Sequence, residues 1–299
     1  MDIFETGFLV IVPVGLVLVM FGMGLSLGIN DFRRVFEFPK AALLGIVGQL
    51  LLLPVLAFAL TAVVKMPQDI AVGLIIIAAC PGGVASNAIV YAARADVALS
   101  VTLTAMNSTV TIFTIPIVVS LGLAMHMGDS GPVPDMPILQ TIARLFSITV
   151  LPISIGMLVR ARWRHLADKL GETFRIGSIV ILIIIVVGVI GMQVDTFVEG
   201  LRYSGPYALL LNLLAMGMGY SLARLAKLDF AQQSTIAIEI GLQNGTLAVL
   251  VALTLLKMQE MAVTPSIYAA LMLITGGLFA WFMSRRHPPM TLNQGNEDG

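Results

Sequence analysis

Long apolar runs repeat along the whole chain, each closed by a short polar or charged break. A run of about 18 or more apolar residues is long enough to cross a bilayer as a helix. The pattern predicts nine spans, at 8–28, 41–64, 70–93, 97–124, 138–159, 176–194, 206–224, 231–256 and 264–283. The connections are too short to hold a separate soluble domain. Residues 1–299 therefore read as a single all-α polytopic membrane unit. Segment 126–137, with Gly131, Pro132, Pro134 and Pro137, reads as a loop, and polar residues 284–299 read as a tail.

Composition agrees with that pattern. Hydrophobic residues make up 58% of the chain, charged residues 11%, and mean hydropathy is +0.97. Soluble domains carry about 25% charged residues. A net charge of zero argues against a nucleic-acid partner, and the single cysteine, Cys80, precludes an intramolecular disulfide. Asp2 and Glu5 precede the first span without a basic residue, unlike the start of a cleaved signal peptide.

The basic residues set an orientation. With nine spans, Arg33, Arg34, Lys40, Arg94, Arg160, Arg162, Arg164, Lys169, Arg175, Arg224, Lys227, Arg285 and Arg286 fall on one side. Only Lys65, Arg144, Arg202 and Lys257 fall on the other. Lysine and arginine accumulate on the cytoplasmic side, so the N-terminus is expected outside and the C-terminus inside a plasma (inner) membrane. An eight- or ten-span count mixes the two groups much more.

Within this apolar background Glu239 stands out, in Ile236-Ala237-Ile238-Glu239-Ile240-Gly241-Leu242-Gln243-Asn244-Gly245. A carboxylate at membrane depth is costly and marks an interior site. Two spans carry helix-breaking chemistry. Span 3 has Cys80-Pro81-Gly82-Gly83 followed by Ser86 and Asn87, and span 8 has Gly241 and Gly245 around Gln243 and Asn244. Broken backbone at membrane depth is tolerated only where protein or a water-filled cavity satisfies it. Each broken span is next to last in its half of the chain. Each follows a span with one buried amide, Gln49 or Asn212. Spans 1–4 and 5–9 thus read as two inverted repeats, the first short of one opening helix, as in secondary transporters. Span 4 adds Ser100 and Thr104 on one helix face, with Asn107 and Ser108 a turn later.

These residues supply oxygens. Gln49, Ser86, Asn87, Ser100, Thr104, Glu239, Gln243 and Asn244 offer hydroxyls, amides and one carboxylate. The three histidines fall outside the spans, His126 in the 126–137 loop, so no His/Cys cluster for zinc or copper is expected. Such oxygens suit a hard monovalent cation such as sodium, and an anionic substrate would complete the charge balance. Other readings of single residues stay open. Glu239 could be a structural group satisfied by amides, or a proton carrier. Ser100 and Thr104 could bond their own backbone, the proline-glycine run could be a simple kink, and Gln49 and Asn212 could be helix glue. An intramembrane enzyme is disfavoured, because the spans hold no histidine and no paired aspartates, and every lysine lies near a span end.

At these residues the chain resembles the bile acid:sodium symporter family. Cys80-Pro81-Gly82-Gly83-Val84-Ala85-Ser86-Asn87 is similar to the family's C-P-G-G-x-x-S-N signature. Asp96 to Thr104, Glu239-Ile240-Gly241-Leu242-Gln243-Asn244 and Asp31-Phe32-Arg33-Arg34 also match, so the likeness covers nearly the whole chain. The resemblance implies a nine-span bacterial form with two parts. One is a core of spans 41–124 and 206–283, in which broken spans 3 and 8 cross. The other is a panel of spans 8–28 and 138–194. It implies two sodium sites. Ser86, Asn87, Ser100, Thr104 and Glu239 form the first. Gln49, Glu239 and Gln243 form the second, with the carbonyls of Ile240 and Leu242. Gly83, Val84 and Asn244 would face the substrate. The chain departs from the family at Val84, where threonine is frequent. It departs again at Met272-Leu273-Ile274-Thr275-Gly276, where a more polar run is frequent. Both changes bear on the cargo, which could be bile-acid-like or a small carboxylate. The implied activity is sodium-coupled import of an organic anion by alternating access. The alternatives are a proton-coupled carrier and an arsenite-type efflux carrier of the same architecture.

Overall fold

The apolar runs fold into helices joined by tight caps, in a computed structural model that describes residues 3–128, 137–192 and 194–286. Most of the predicted 126–137 loop and the tail from residue 287 lie outside the described residues. In chain order the helices begin with α1 (Ile3–Ser26), α2 (Ile29–Arg33), α3 (Pro39–Val63), α4 (Gln68–Ala79) and α5 (Val84–Ala92). Next come α6 (Val97–Met127), α7 (Ile138–Arg162), α8 (Arg164–Met192), α9 (Val194–Tyr203) and α10 (Gly205–Leu225). The series ends with α11 (Phe230–Gly241), α12 (Gly245–Leu255) and α13 (Glu260–Ser284). Five of these are long and apolar enough to cross a membrane, or up to seven if two bent pairs each count as one span. Among the described residues there is no strand. The chain is an all-helical, multi-pass membrane protein.

Local chemistry explains the ends and irregularities. Asp96 and Asp229 cap α6 and α11 by accepting from the backbone N–H of Leu99 (2.9 Å) and Gln232 (2.8 Å). In α3 and α7 a wide turn, at Gly48–Leu52 and Phe146–Val150, comes just before Pro54 and Pro152. Proline has no N–H and its ring crowds the carbonyl four residues back, so the ladder widens there. Arg94, Lys227 and Lys257 end α5, α10 and α12 with φ of 56°, 57° and 58°. A left-handed cap turns the chain sharply, and a cation there complements the negative helix terminus. α6 runs on through Met127, so His126 lies in its last turn and not in a loop. Its Nε2 is 3.0 Å from the Thr61 hydroxyl.

Outward faces are apolar, as a lipid solvent requires. Leu43, Val47, Leu51 and Val55 form one exposed stripe on α3, and Phe113, Ile117 and Leu121 another on α6. Inside, small residues let backbones approach, the usual basis of helix packing in membranes. α1 packs on α7 and α8. A Cβ added at Gly24 would lie 2.2 Å from the Ile153 carbonyl oxygen, and one at Gly156 would lie 2.4 Å from that of Phe21. The remaining long helices pack around α4, α11 and α12, with α10 on α11 and α13 on both α4 and α12.

Gly156→Val should destabilise purified protein by about 1–3 kcal/mol, because its contact is rigid backbone. Gly277→Ala, where an added Cβ meets nothing within 4 Å, should be neutral or stabilising by about 0.5–1 kcal/mol. Thermal melting in detergent compares the two.

Candidate functional site

Two broken helices meet inside the molecule. α4 ends at Ala79, Cys80 is extended (ψ 150°), and α5 starts at Val84 after an extended Gly83. α11 ends at Gly241, Leu242 is extended, and Asn244 caps α12 by accepting from the Leu247 N–H at 3.0 Å. The two extended stretches pair antiparallel, Gly82 against Gln243, and the Asn244 N–H donates to the Pro81 carbonyl at 2.8 Å. Four helix ends therefore converge, two presenting carbonyls and two presenting N–H groups.

The loose carbonyls find amide donors on the neighbouring helices. Gln49 Nε2 on α3 donates to the Cys80 carbonyl at 2.8 Å. Asn212 Nδ2 on α10 donates to the Gly241 carbonyl at 2.8 Å. The Tyr268 hydroxyl donates to the same Gly241 oxygen at 2.8 Å, and Thr275 donates to Asn212 Oδ1 at 2.6 Å. Asn212 thus anchors a helix break as Gln49 does. Tyr268 escaped sequence reasoning, and Thr275 entered it only within the run that departs from the family, because a tyrosine and a threonine in an apolar run carry no marker of what they face.

Glu239 lies in the last turns of α11, 1% exposed. Its Oε1 accepts from Ser86 Oγ at 2.8 Å and from Ser100 Oγ, and its Oε2 accepts from Thr104 Oγ1 at 2.9 Å. Each hydroxyl has a second acceptor in reach. Ser86 also points at the Gly83 carbonyl (2.7 Å), and Ser100 and Thr104 approach Asn87 Oδ1 at 2.6 and 3.5 Å. A hydroxyl has one proton, so each of the three faces two acceptors with a single donor. The cluster is richer in oxygen acceptors than in protons, which is the chemistry of a cation site. Ser86, Asn87, Ser100, Thr104 and Glu239 are brought together as the sequence predicted.

The second predicted group divides. Gln49 Nε2 donates to Gln243 Oε1 at 2.7 Å, and Gln243 Nε2 donates to the Ile240 carbonyl at 2.6 Å. Gln49, Ile240 and Gln243 thus form one bonded string, with Gln49 Oε1 buried and unpartnered. Leu242 sits in the extended link just beyond α11, and Glu239 is tied to the first cluster.

Gly83, Val84 and Asn244 line a cavity of about 30 Å³ together with Ser178 and Met272, room for a water but not for an organic anion. Wider cavities open elsewhere. One of about 460 Å³ reaches Val84, Asn87 and Tyr91 from Arg160 and Asp168. A neighbouring one of about 930 Å³ is lined by Arg34, Asp31 and Arg164. These two border the face that carries Arg34, Arg160 and Arg164, and a third, of about 390 Å³, lies beside Arg144, Leu250 and Thr254.

Residues 13–200 match the Sodium Bile acid symporter family. The chain is 30% identical over 274 residues to the "Uncharacterized sodium-dependent transporter YocS" of Bacillus subtilis (strain 168), covering 90% of this chain and 81% of that one. It is 29% identical over 280 residues to the human "Ileal sodium/bile acid cotransporter", covering 89% and 76%. It is 28% identical over 246 residues to the "Probable sodium/metabolite cotransporter BASS1, chloroplastic" of Arabidopsis thaliana, covering 80% of this chain but only 58% of the plant protein.

Gly82→Ala would put a methyl carbon 2.8 Å from Glu239 Oε2, whereas Gly83→Ala meets its nearest atom at 3.5 Å. The first should cost about 1–3 kcal/mol of stability and the second under about 0.5 kcal/mol, compared by melting purified variants.

Proposed function

We propose, on the premise that this chain belongs to the Sodium Bile acid symporter family, that it is a sodium-coupled symporter importing an organic anion by alternating access. Its relatives are named as sodium-dependent transporters and sodium cotransporters, and the family is one of transporters rather than enzymes. The observation that carries the reading is the acceptor-rich cluster at Glu239. Three hydroxyls with one proton each face two acceptors apiece, around a buried carboxylate. A sodium ion entering there resolves that excess, with Ser86, Asn87, Ser100, Thr104 and Glu239 as its ligands. A second sodium would take the Gln49 and Gln243 oxygens with Glu239 and the carbonyls of Ile240 and Leu242. Gln49 Oε1, buried without a partner, supports a site at that place.

The architecture we infer has nine spans, with α4–α5 and α11–α12 as two broken ones. The inverted repeat gains support from function at equivalent positions. Gln49 anchors the first break and Asn212 the second, and Arg94 and Lys257 close the helix after each break with the same left-handed turn. The core would hold spans 41–124 and 206–283, and the panel spans 8–28 and 138–194. The packing of α1 on α7 and α8 supports the panel. The two larger cavities lie on the side that the lysine and arginine distribution makes cytoplasmic, which supports a state that releases cargo inward. The substrate would meet Gly83, Val84 and Asn244 when the core rocks against the panel. Two sodium ions with one monoanion carry one net positive charge inward, driven by about 2.3 kcal/mol per 100 mV.

Reconstituted protein should take up radiolabelled bile acids or small carboxylates under an inward sodium gradient, and Glu239→Ala should abolish uptake while eluting as folded protein. Uptake that persists in potassium and follows a proton gradient would overturn the sodium reading. Accumulation inside inside-out vesicles that needs no sodium would favour an arsenite-type exporter.

A further inference from the structure

Three buried polar atoms on adjacent residues of α6 have no hydrogen-bond partner, namely both amide atoms of Asn107 and the hydroxyl of Ser108. Asn107 is 1% exposed and Ser108 3%. Buried polar side chains are nearly always partnered, and an exception asks for a ligand or a bound water. Gln49 Oε1, on α3, is a fourth such atom.

Helical register brings these groups to one level. Leu103 of α6 fills the space beside Gly45 of α3, Ile240 of α11 fills that beside Gly48, and Thr104 bonds Glu239. Asp96 meets Thr235 before Thr104 meets Glu239, and Thr61 meets His126 further along both α3 and α6, so the three helices run side by side in the same direction. One turn further on lie Gln49 on α3 and Gln243 beyond α11, bonded to each other. Asn107 is the residue one turn further on α6. It sits on the helix face between Leu103, which meets α3, and Thr104, which meets Glu239. The wide turn Gly48–Leu52 interrupts α3 at this same level. Val101, which lines both arginine-side cavities, comes six residues before Asn107 on α6, a rise of roughly 9 Å. Asn107 thus lies at the level of the crossing, where Gly82 pairs with Gln243.

We propose that Asn107 and Ser108 form a hydrated sodium station beside the second cation site, to which Gln49 belongs. It rests on the sodium-coupled reading above. The Asn107 amide oxygen and the Ser108 hydroxyl oxygen suit a hard monovalent cation. Asn107 Nδ2 is a donor, which an ion cannot satisfy and a water oxygen can, so the ion keeps part of its water here. The station lets sodium exchange water for protein oxygens in steps before it reaches Glu239.

The test titrates sodium alone, against a choline background, and follows thermal stabilisation of the purified full chain. Asn107→Leu should raise the sodium midpoint about tenfold, the loss of one charge-assisted contact. In choline it should melt at or above the wild-type temperature, because an apolar group replaces unpartnered polar atoms. Asn107→Asp, which keeps the oxygens, should leave the midpoint unchanged or lower it. Should the leucine variant not fold, Asn107→Ala and Ser108→Ala carry the same expectation for the midpoint. A wild-type sodium response retained unchanged in these variants overturns the station alone. A wild type that responds no better to sodium than to choline overturns the sodium reading and the station with it.

Discussion

A carboxylate at membrane depth has to be met by donors or by a cation, and Glu239 has only hydroxyls around it. Ser86, Ser100 and Thr104 come from α5 and α6, so the carboxylate joins three helices at one point. Ser100 and Thr104 stand on the continuous helix α6, but Ser86 is in place because the first broken helix is broken where it is. Ser86 stands in the first turn of α5 because Pro81, Gly82 and Gly83 end α4 and restart the helix. Gly82 has no side chain, and the Glu239 oxygen occupies the space where a Cβ would be. The antiparallel pairing of Gly82 with Gln243 then satisfies backbone that lipid could not.

The same geometry joins cation and anion chemistry. Helix C-termini present carbonyls and N-termini present N–H groups, so a crossing of two broken helices supplies both kinds of partner within one site. The carbonyl ends are stitched to α3 and α10 by Gln49 and Asn212. The N-terminal ends at Val84 and Gly245 border the small cavity. A cation that fills the acceptor-rich cluster would stiffen the crossing and favour the arrangement that takes up the anion, because it can shift the equilibrium only as far as it binds one state better.

The membrane class, the positions of both breaks and the polar cluster around Glu239 were legible in the chain because each breaks an otherwise uniform apolar pattern. Proline-glycine pairs, a lone acid and amides at membrane depth are expensive, so they announce themselves. Asn212 was visible as an amide but not as the counterpart of Gln49, since its role depends on a carbonyl brought to it by folding. The roles of Tyr268 and Thr275 were not legible. Their hydroxyls matter only through the partners they meet. The end of α6 was misjudged at His126, because a polar residue near the interface looks the same in a last helical turn as in a loop. Nor does the pattern of apolar runs say which face of the protein stands open. That depends on how α1, α7 and α8 sit against the other helices.

The most direct measurement is equilibrium binding of radioactive sodium to the purified, detergent-solubilised protein. The account predicts saturable binding displaced by unlabelled sodium but not by potassium, and greatly weakened when Ser100→Ala and Thr104→Val are combined. Folded protein that binds no sodium, or binds it as well without those two hydroxyls, would contradict it.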